Sequence, residues 1–170
     1  MPDEYRNFRF VLSARSLHSR ATQARARIVR KVFVDTAAWI ALINVDDVFH
    51  EQAKRVKANL QQQKCQLITT DFVLLQVADA LVSPKIRSQT IRFINHLNNL
   101  IGLQIIPLNK SLFDEGWKLY SQRLDKDWGL TDCISFVIMQ QEVITLAFTS
   151  DRHFEQAGFT RLLNPSYSEQ

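Results

Sequence analysis

From Lys31 onward the chain repeats one pattern: a short run of apolar and often β-branched residues, then a stretch whose apolar residues recur at helical spacing. The runs are KVFVD, CQLITT, LQIIPL and VITLAFTS, with RLLN near the end as a short fifth. They lack the polar alternation of a half-exposed strand, so both faces of each must be covered. Strands separated by helices pair in parallel, because a parallel pair needs a crossover of a dozen residues or more. The expected fold is therefore α/β, with helices on both faces of a mostly parallel central sheet. Only 4 Gly and 4 Pro in 170 residues argue against a turn-rich all-β alternative.

Between the runs, TAAWIALINV reads as a helix that Thr36 is placed to cap. VFHEQAKRVKANLQQQ follows, with Val48, Ala53, Val56 and Leu60 along one side. Asp71 opens DFVLLQVADAL, which Ser83-Pro84 breaks; KIRSQTIRFINHLNNLIG is closed by Gly102. SLFDEGWKLYSQRL is a long helix, and the turn DKDWG leads into LTDCISFVIMQQ, with Thr131 as the expected cap. In the third of these helices, Val73, Val77 and Ala80 form an apolar stripe, and Gln76 falls inside it. A buried amide costs about 1–3 kcal/mol if its hydrogen bonds go unmade, so Gln76 is expected to border a polar site.

The net charge of +4 is unevenly spread. Residues 1–31 carry eight Arg and Lys against Asp3 and Glu4, a net of +6, which leaves −2 for the rest of the chain. The pI of about 9.3 thus belongs to the leader and is no argument for nucleic-acid binding by the domain. The leader is Arg- and Ser-rich without an apolar period; it reads as a transit peptide, a nucleic-acid-contacting arm or an inert extension. The expected organisation is a basic leader over 1–30, one domain over 31–165 and a tail over 166–170. No run approaches the roughly 18 apolar residues of a membrane span. Cys65 and Cys133 fit no metal-ligand spacing, and such sparse usage suits a reducing, cytoplasmic setting.

In an open parallel sheet, ligands bind beyond the carboxyl ends of the strands. Asp35 ends the first run, Asp151 follows the fourth, and Asp132 lies in the first turn of LTDCISFVIMQQ. Each has hydroxyl neighbours: Thr36, Thr131, and Thr149 with Ser150. Taken singly, each acid has a plain structural role as a helix cap or a partner of the helix dipole. Together at one edge they would repel one another, by about 3 kcal/mol for a pair at about 6 Å in a dielectric near 20. A hard divalent cation normally holds such a cluster, and oxygen-only ligands favour Mg²⁺ or Mn²⁺.

VFVDTAAWIAL, TTDFVLLQVADAL, LTDCISFVIMQQ and TSDRHFEQAGF, in this order and spacing, resemble the PIN-domain family of metal-dependent ribonucleases. The likeness is greatest to the VapC-type toxins of toxin–antitoxin pairs, and it covers roughly Lys31 to Leu163. The resemblance implies a three-layer α/β/α fold and hydrolysis of RNA phosphodiester bonds with Mg²⁺ or Mn²⁺. It also implies RNA as substrate, an antitoxin protein as partner and a homodimer. Carried over position by position, Asp35, Asp132 and Asp151 correspond to metal-binding or water-positioning acids. Gln76 stands where the family usually has a glutamate. Thr36, Thr131 and Ser150 are the expected contacts to phosphate or water.

The missing glutamate keeps open a second class of function, a catalytically weakened PIN-like module that binds RNA or regulates. A phosphotransferase that also begins with a strand ending in Asp is set aside, because it needs an acid two residues on, where Ala37 stands. Other candidates each have a bland counterpart. Asp79 is a stand-in carboxylate or a solvated residue, and His153 is a proton carrier or a surface histidine. Lys85, Arg87, Arg92 and His96 form an RNA or partner contact or a solvated face. Trp39, Trp117 and Trp128 are expected in the core or in dimer contacts.

Overall fold

The computed structural model describes residues 29–164; the expected leader before residue 29 and the tail over 166–170 lie outside the described residues. The elements alternate as the apolar runs require: β1 (Lys31–Val34), α1 (Thr36–Ile43), α2 (His50–Gln62), β2 (Gln66–Thr70), α3 (Asp71–Ala80), α4 (Pro84–Leu97) and β3 (Leu103–Ile106). Then come α5 (Lys110–Gln122), α6 (Leu130–Gln141), β4 (Leu146–Phe148), α7 (Arg152–Gln156) and β5 (Thr160–Arg161). All strand pairs are parallel, and the order across the sheet is β3-β2-β1-β4-β5. Helices cover both faces in a three-layer α/β/α arrangement: α1 packs with α2, α3 and α4, and α6 with α5 and α7.

That strand order decides where a site can form. The chain builds outward from β1 through β2 to β3, then returns to lay β4 on the other side of β1. Phe33 pairs with Ile68 on one flank and Ala147 on the other. The carboxyl ends of β1 and β4 are therefore neighbours at a topological switch point, the place where open parallel sheets form a ligand crevice.

The centre of the sheet is fully apolar. Val32, Phe33, Val34, Ile68, Ala147 and Phe148 are buried, with Trp39 of α1 above and Phe136 and Phe154 packed edge to face. Each such side chain contributes about 1.5–3 kcal/mol by leaving water. One polar chain crosses this core: Trp39 Nε1 donates to Thr69 Oγ1 at 3.2 Å, and that hydroxyl donates to the Val34 carbonyl at 2.8 Å. It satisfies every buried donor in its path and ties α1 to both central strands.

Several boundaries differ from the sequence expectation. Val48 is 91% exposed and precedes α2, so only Ala53 and Leu60 of the expected stripe are fully buried. Helix α4 ends at Leu97, and Gly102 serves the turn into β3 at φ +85°. Strand β4 is three residues long, Leu146–Phe148, although the Thr149 carbonyl still accepts the Leu163 N–H at 3.0 Å. The last strand is Thr160–Arg161, a little before RLLN. Helix α7 was not expected at all. In α3 the buried residues are Val73, Leu74 and Val77, while Ala80 and Gln76 are exposed. The helix face turned to the sheet is thus rotated toward Leu74, and Gln76 sits on its rim.

Candidate active site

Three helix starts place the acids. Val34 ends β1 with an extended residue, Asp35, whose carboxylate caps α1 by accepting the Ala37 N–H at 3.4 Å. The cap is Asp35 and not Thr36, whose hydroxyl instead donates to Gln76 Oε1 at 2.7 Å. Helix α6 is likewise capped at Gly129 and not Thr131; Asp132 in its first turn accepts the Gly129 N–H at 2.9 Å. Thr131 is half-buried one residue before Asp132, with its carbonyl accepting from Ser135. Asp151 caps α7, accepting the His153 N–H at 2.9 Å.

One hydroxyl joins two of these acids. Thr149 Oγ1, fully buried at the end of β4, donates to Asp35 Oδ2 at 2.7 Å and accepts the Asp151 N–H at 3.0 Å. It fixes the β1 acid relative to the β4 acid across the switch point. From behind, Arg161 Nη1 of β5 donates to the Ser150 carbonyl at 2.6 Å, and its Nε lies 3.2 Å from Glu155 Oε1. Ser150 thus has its carbonyl turned to Arg161. Thr149 is marked in the sequence only as a hydroxyl neighbour of Asp151, and Arg161 carries no signal, because both act through a strand adjacency that local sequence does not encode.

His153 is not a free surface histidine. Its Nδ1 lies 3.1 Å from Asp132 Oδ2 and 3.4 Å from Asp151 Oδ2, with the side chain 27% exposed. Asp132, Asp151 and His153 offer ligand atoms that all lie within 4.8 Å of one another, and Asp35 stands outside that set. Gln76 reaches the site through Thr36, the residue after Asp35. Asp79, Lys85, Arg87, Arg92 and His96 are exposed on α3 and α4, away from these bonds.

The electrostatics are those of acids short of counter-charge. Burial, with a smaller push from the Asp132 charge, raises the Asp35 carboxyl from 3.8 to about 6, against the Thr149 and backbone hydrogen bonds that lower it. Asp132 is also raised, first by burial and then by the Asp151 charge, while the Gly129 N–H and His153 oppose the shift. Among the described residues, none of the three acids forms an ion pair with Lys or Arg. Cys133, beside Asp132, is no nucleophile: burial pushes its thiol up to about 11. Carboxylate oxygens in excess of protein cations fit a divalent ion such as Mg²⁺ or Mn²⁺. Asp132 and Asp151 would hold it, with Asp35 behind them.

The sequence profile of the PIN domain matches residues 32–160. The 23S rRNA-specific endonuclease VapC20 of Mycobacterium tuberculosis is 25% identical over 141 residues, which span 77% of this chain and 97% of its own. The crystal structure of that protein, described as a Sarcin-Ricin loop cleaving toxin, has a TM-score of 0.67 at 24% identity, covering 76% of this chain and 96% of its own. VapBC2 from Rickettsia felis, bound to a DNA fragment from its promoter, has a TM-score of 0.57 at 15% identity over 77% of this chain and 96% of its own. FitAcB from Neisseria gonorrhoeae has a TM-score of 0.56 at 12% identity over 80% of this chain and 99% of its own.

Proposed function

The chain belongs to the PIN-domain family, and from that premise we propose that it is a metal-dependent endoribonuclease hydrolysing RNA phosphodiester bonds, the toxin of a toxin–antitoxin pair. The observation that carries the proposal is that Asp132 and Asp151 cluster with His153, that buried Asp35 is tied to Asp151 through Thr149, and that none of the three acids pairs with Lys or Arg among the described residues, on a fold shared with an rRNA endonuclease. Mg²⁺ or Mn²⁺ is the cofactor; a divalent ion makes water nucleophilic at neutral pH and neutralises charge developing on the phosphate.

The residues of the chain divide the rest of the work. Asp132, held by the Gly129 N–H, and Asp151, held at the start of α7, present fixed carboxylate oxygens toward the crevice. Asp35 is oriented by Thr149 and keeps its charge at neutral pH with a carboxyl that ionises near 6. Thr36, Thr131 and Ser150 are the polar groups nearest these acids in the chain, and we assign them to phosphate or water contacts. Gln76, held by the Thr36 hydroxyl, supplies an amide where the family's charge would stand. The functional unit is taken as residues 31–165.

Partners follow from the same relatives. Similarity to the VapC20 toxin and to the VapBC2 assembly supports RNA as substrate and an antitoxin protein as ligand. A homodimer is proposed on α5, where Trp117 is 51% exposed and stacks between Phe113 and Tyr120, with ring centroids 6.5 and 5.6 Å away. Trp39 and Trp128, by contrast, are buried. No helix among the described residues is long and apolar enough to cross a membrane, and two free, buried cysteines support a cytoplasmic setting. The uncharged Gln76 supports one second reading, a weakened PIN module that binds RNA without cutting it. Incubating the protein with bacterial ribosomal RNA, with Mn²⁺ or with a chelator, separates the two: metal-dependent internal cuts are expected, and binding without cuts would favour the module.

A further inference from the structure

We propose that His153 is itself a ligand of the divalent ion, so that the site holds one imidazole nitrogen beside its carboxylates and prefers Mn²⁺ to Mg²⁺. The assignment rests on the metal-dependent reading above and deepens it. Its basis is the packing of three ligand atoms: His153 Nδ1 lies 3.1 Å from Asp132 Oδ2 and 3.4 Å from Asp151 Oδ2. Adjacent ligands around an octahedral ion at about 2.1 Å stand about 3.0 Å apart, and around a tetrahedral one about 3.4 Å. The His153 nitrogen therefore already stands at the spacing of a coordination edge from each carboxylate oxygen, and the ligand atoms of the three residues all lie within 4.8 Å of one another, whereas Asp35 stands outside the set.

The local fold holds this arrangement. Asp151 caps α7 through the His153 N–H, so its carboxylate and the imidazole leave the same helix start two residues apart. Asp132 comes from the opposite side, on the first turn of α6, with its Oδ2 pinned by the Gly129 N–H. The imidazole remains 27% exposed, open to an incoming ion. Ligation through Nδ1 requires the neutral ring with its proton on Nε2.

The chemical consequence is metal choice. Mg²⁺ takes oxygen ligands and keeps its waters, while imidazole favours the transition metals. Asp132 and Asp151 alone would serve either ion; the nitrogen tips the site toward Mn²⁺. This also bears on the missing glutamate, because Gln76 leaves the site with one charge fewer, and a neutral nitrogen ligand restores a coordination position without adding repulsion.

The test uses the full chain loaded with Mn²⁺, read by electron spin echo envelope modulation. Wild type should show ¹⁴N modulation of a directly bound histidine nitrogen, and His153→Ala should lose it. Calorimetric titration should show the variant's Mn²⁺ affinity reduced about tenfold or more, with Mg²⁺ affinity changed much less. Mn²⁺ bound by the wild type without histidine-nitrogen modulation would overturn the assignment and leave the metal-dependent nuclease standing. So would modulation that persists in His153→Ala, or an equal loss of both metals. Absence of any Mn²⁺ binding would overturn both readings. Because the wild-type spectrum alone can refute the ligand, the result does not depend on the variant folding.

Discussion

Replacing Asp35 by Asn exchanges a buried acid for a neutral isostere beside the Asp132, Asp151 and His153 cluster. Asp35 is 4% exposed, and burial raises its carboxyl from 3.8 to about 6, with the Asp132 charge adding to the shift. The folded protein therefore holds this proton more tightly than the unfolded chain. The stability it contributes is complete below pH 3.8 and is lost as pH rises to about 6. Fully ionised at pH 7, the group costs the metal-free fold about 3 kcal/mol. Asn keeps an oxygen for the Thr149 hydroxyl but places an amide where the second carboxylate oxygen was, so the expected gain is about 1–3 kcal/mol. Urea unfolding of the chelator-treated proteins between pH 4 and pH 7.5 checks this. Asp35→Asn should match wild type near pH 4, exceed it at pH 7 and lose stability less steeply between. Added Mn²⁺ should stabilise wild type and the variant much less. A variant less stable than wild type at pH 7, or one with the same pH slope, would refute the claim that burial without counter-charge governs this acid.

Gly116 of α5 lies against α6 so closely that an added Cβ would stand 2.3 Å from Ile134 Cγ1 and 3.2 Å from its Cα; Gly116→Ala should cost about 1–3 kcal/mol in thermal unfolding despite its better helix propensity, and a stabilised variant would contradict that packing. Val143 follows α6 at φ +54° with its side chain 85% exposed. The Ile144 N–H to Met139 carbonyl bond of 2.7 Å marks a helix end where glycine is usual. Val143→Gly should therefore raise stability by about 1 kcal/mol, and a loss would show that the backbone there is not strained. Gln76→Glu should tighten Mn²⁺ about tenfold in calorimetric titration and raise cleavage; unchanged affinity would mean that position 76 does not face the ion.

The strands were legible because their chemistry is local: KVFVD and CQLITT can only be buried runs, and each passes straight into a helix. The three acids were legible for the same reason, since each sits where a strand or turn becomes a helix. What was not legible depends on which strands are neighbours. Thr149 joins Asp35 to Asp151 only because β4 lies beside β1, and nothing in AFTSD states that. Helix α7 is five residues long, too short for a periodic signal, and without it His153 could not be placed between Asp132 and Asp151. Gln76 was read into the buried stripe through Val73 and Val77. The true inner face includes Leu74 and leaves Gln76 exposed at the rim. Caps were misplaced by one or two residues at Thr36 and Thr131, because a carboxylate or a glycine before them made the first bond instead.

The central claim is that acids at the β1/β4 switch point cut RNA with a divalent ion. Its most direct test is cleavage of bacterial 23S rRNA by wild type and by Asp132→Asn in the presence of Mn²⁺, with both proteins first shown folded by circular dichroism. Asp132 is held at its amide-facing oxygen by the Gly129 N–H, a bond that Asn can still accept, so the fold should survive. Wild type should make internal cuts that vanish on chelation, and the variant none. Equal cleavage by both, with contaminating nuclease excluded, would contradict it.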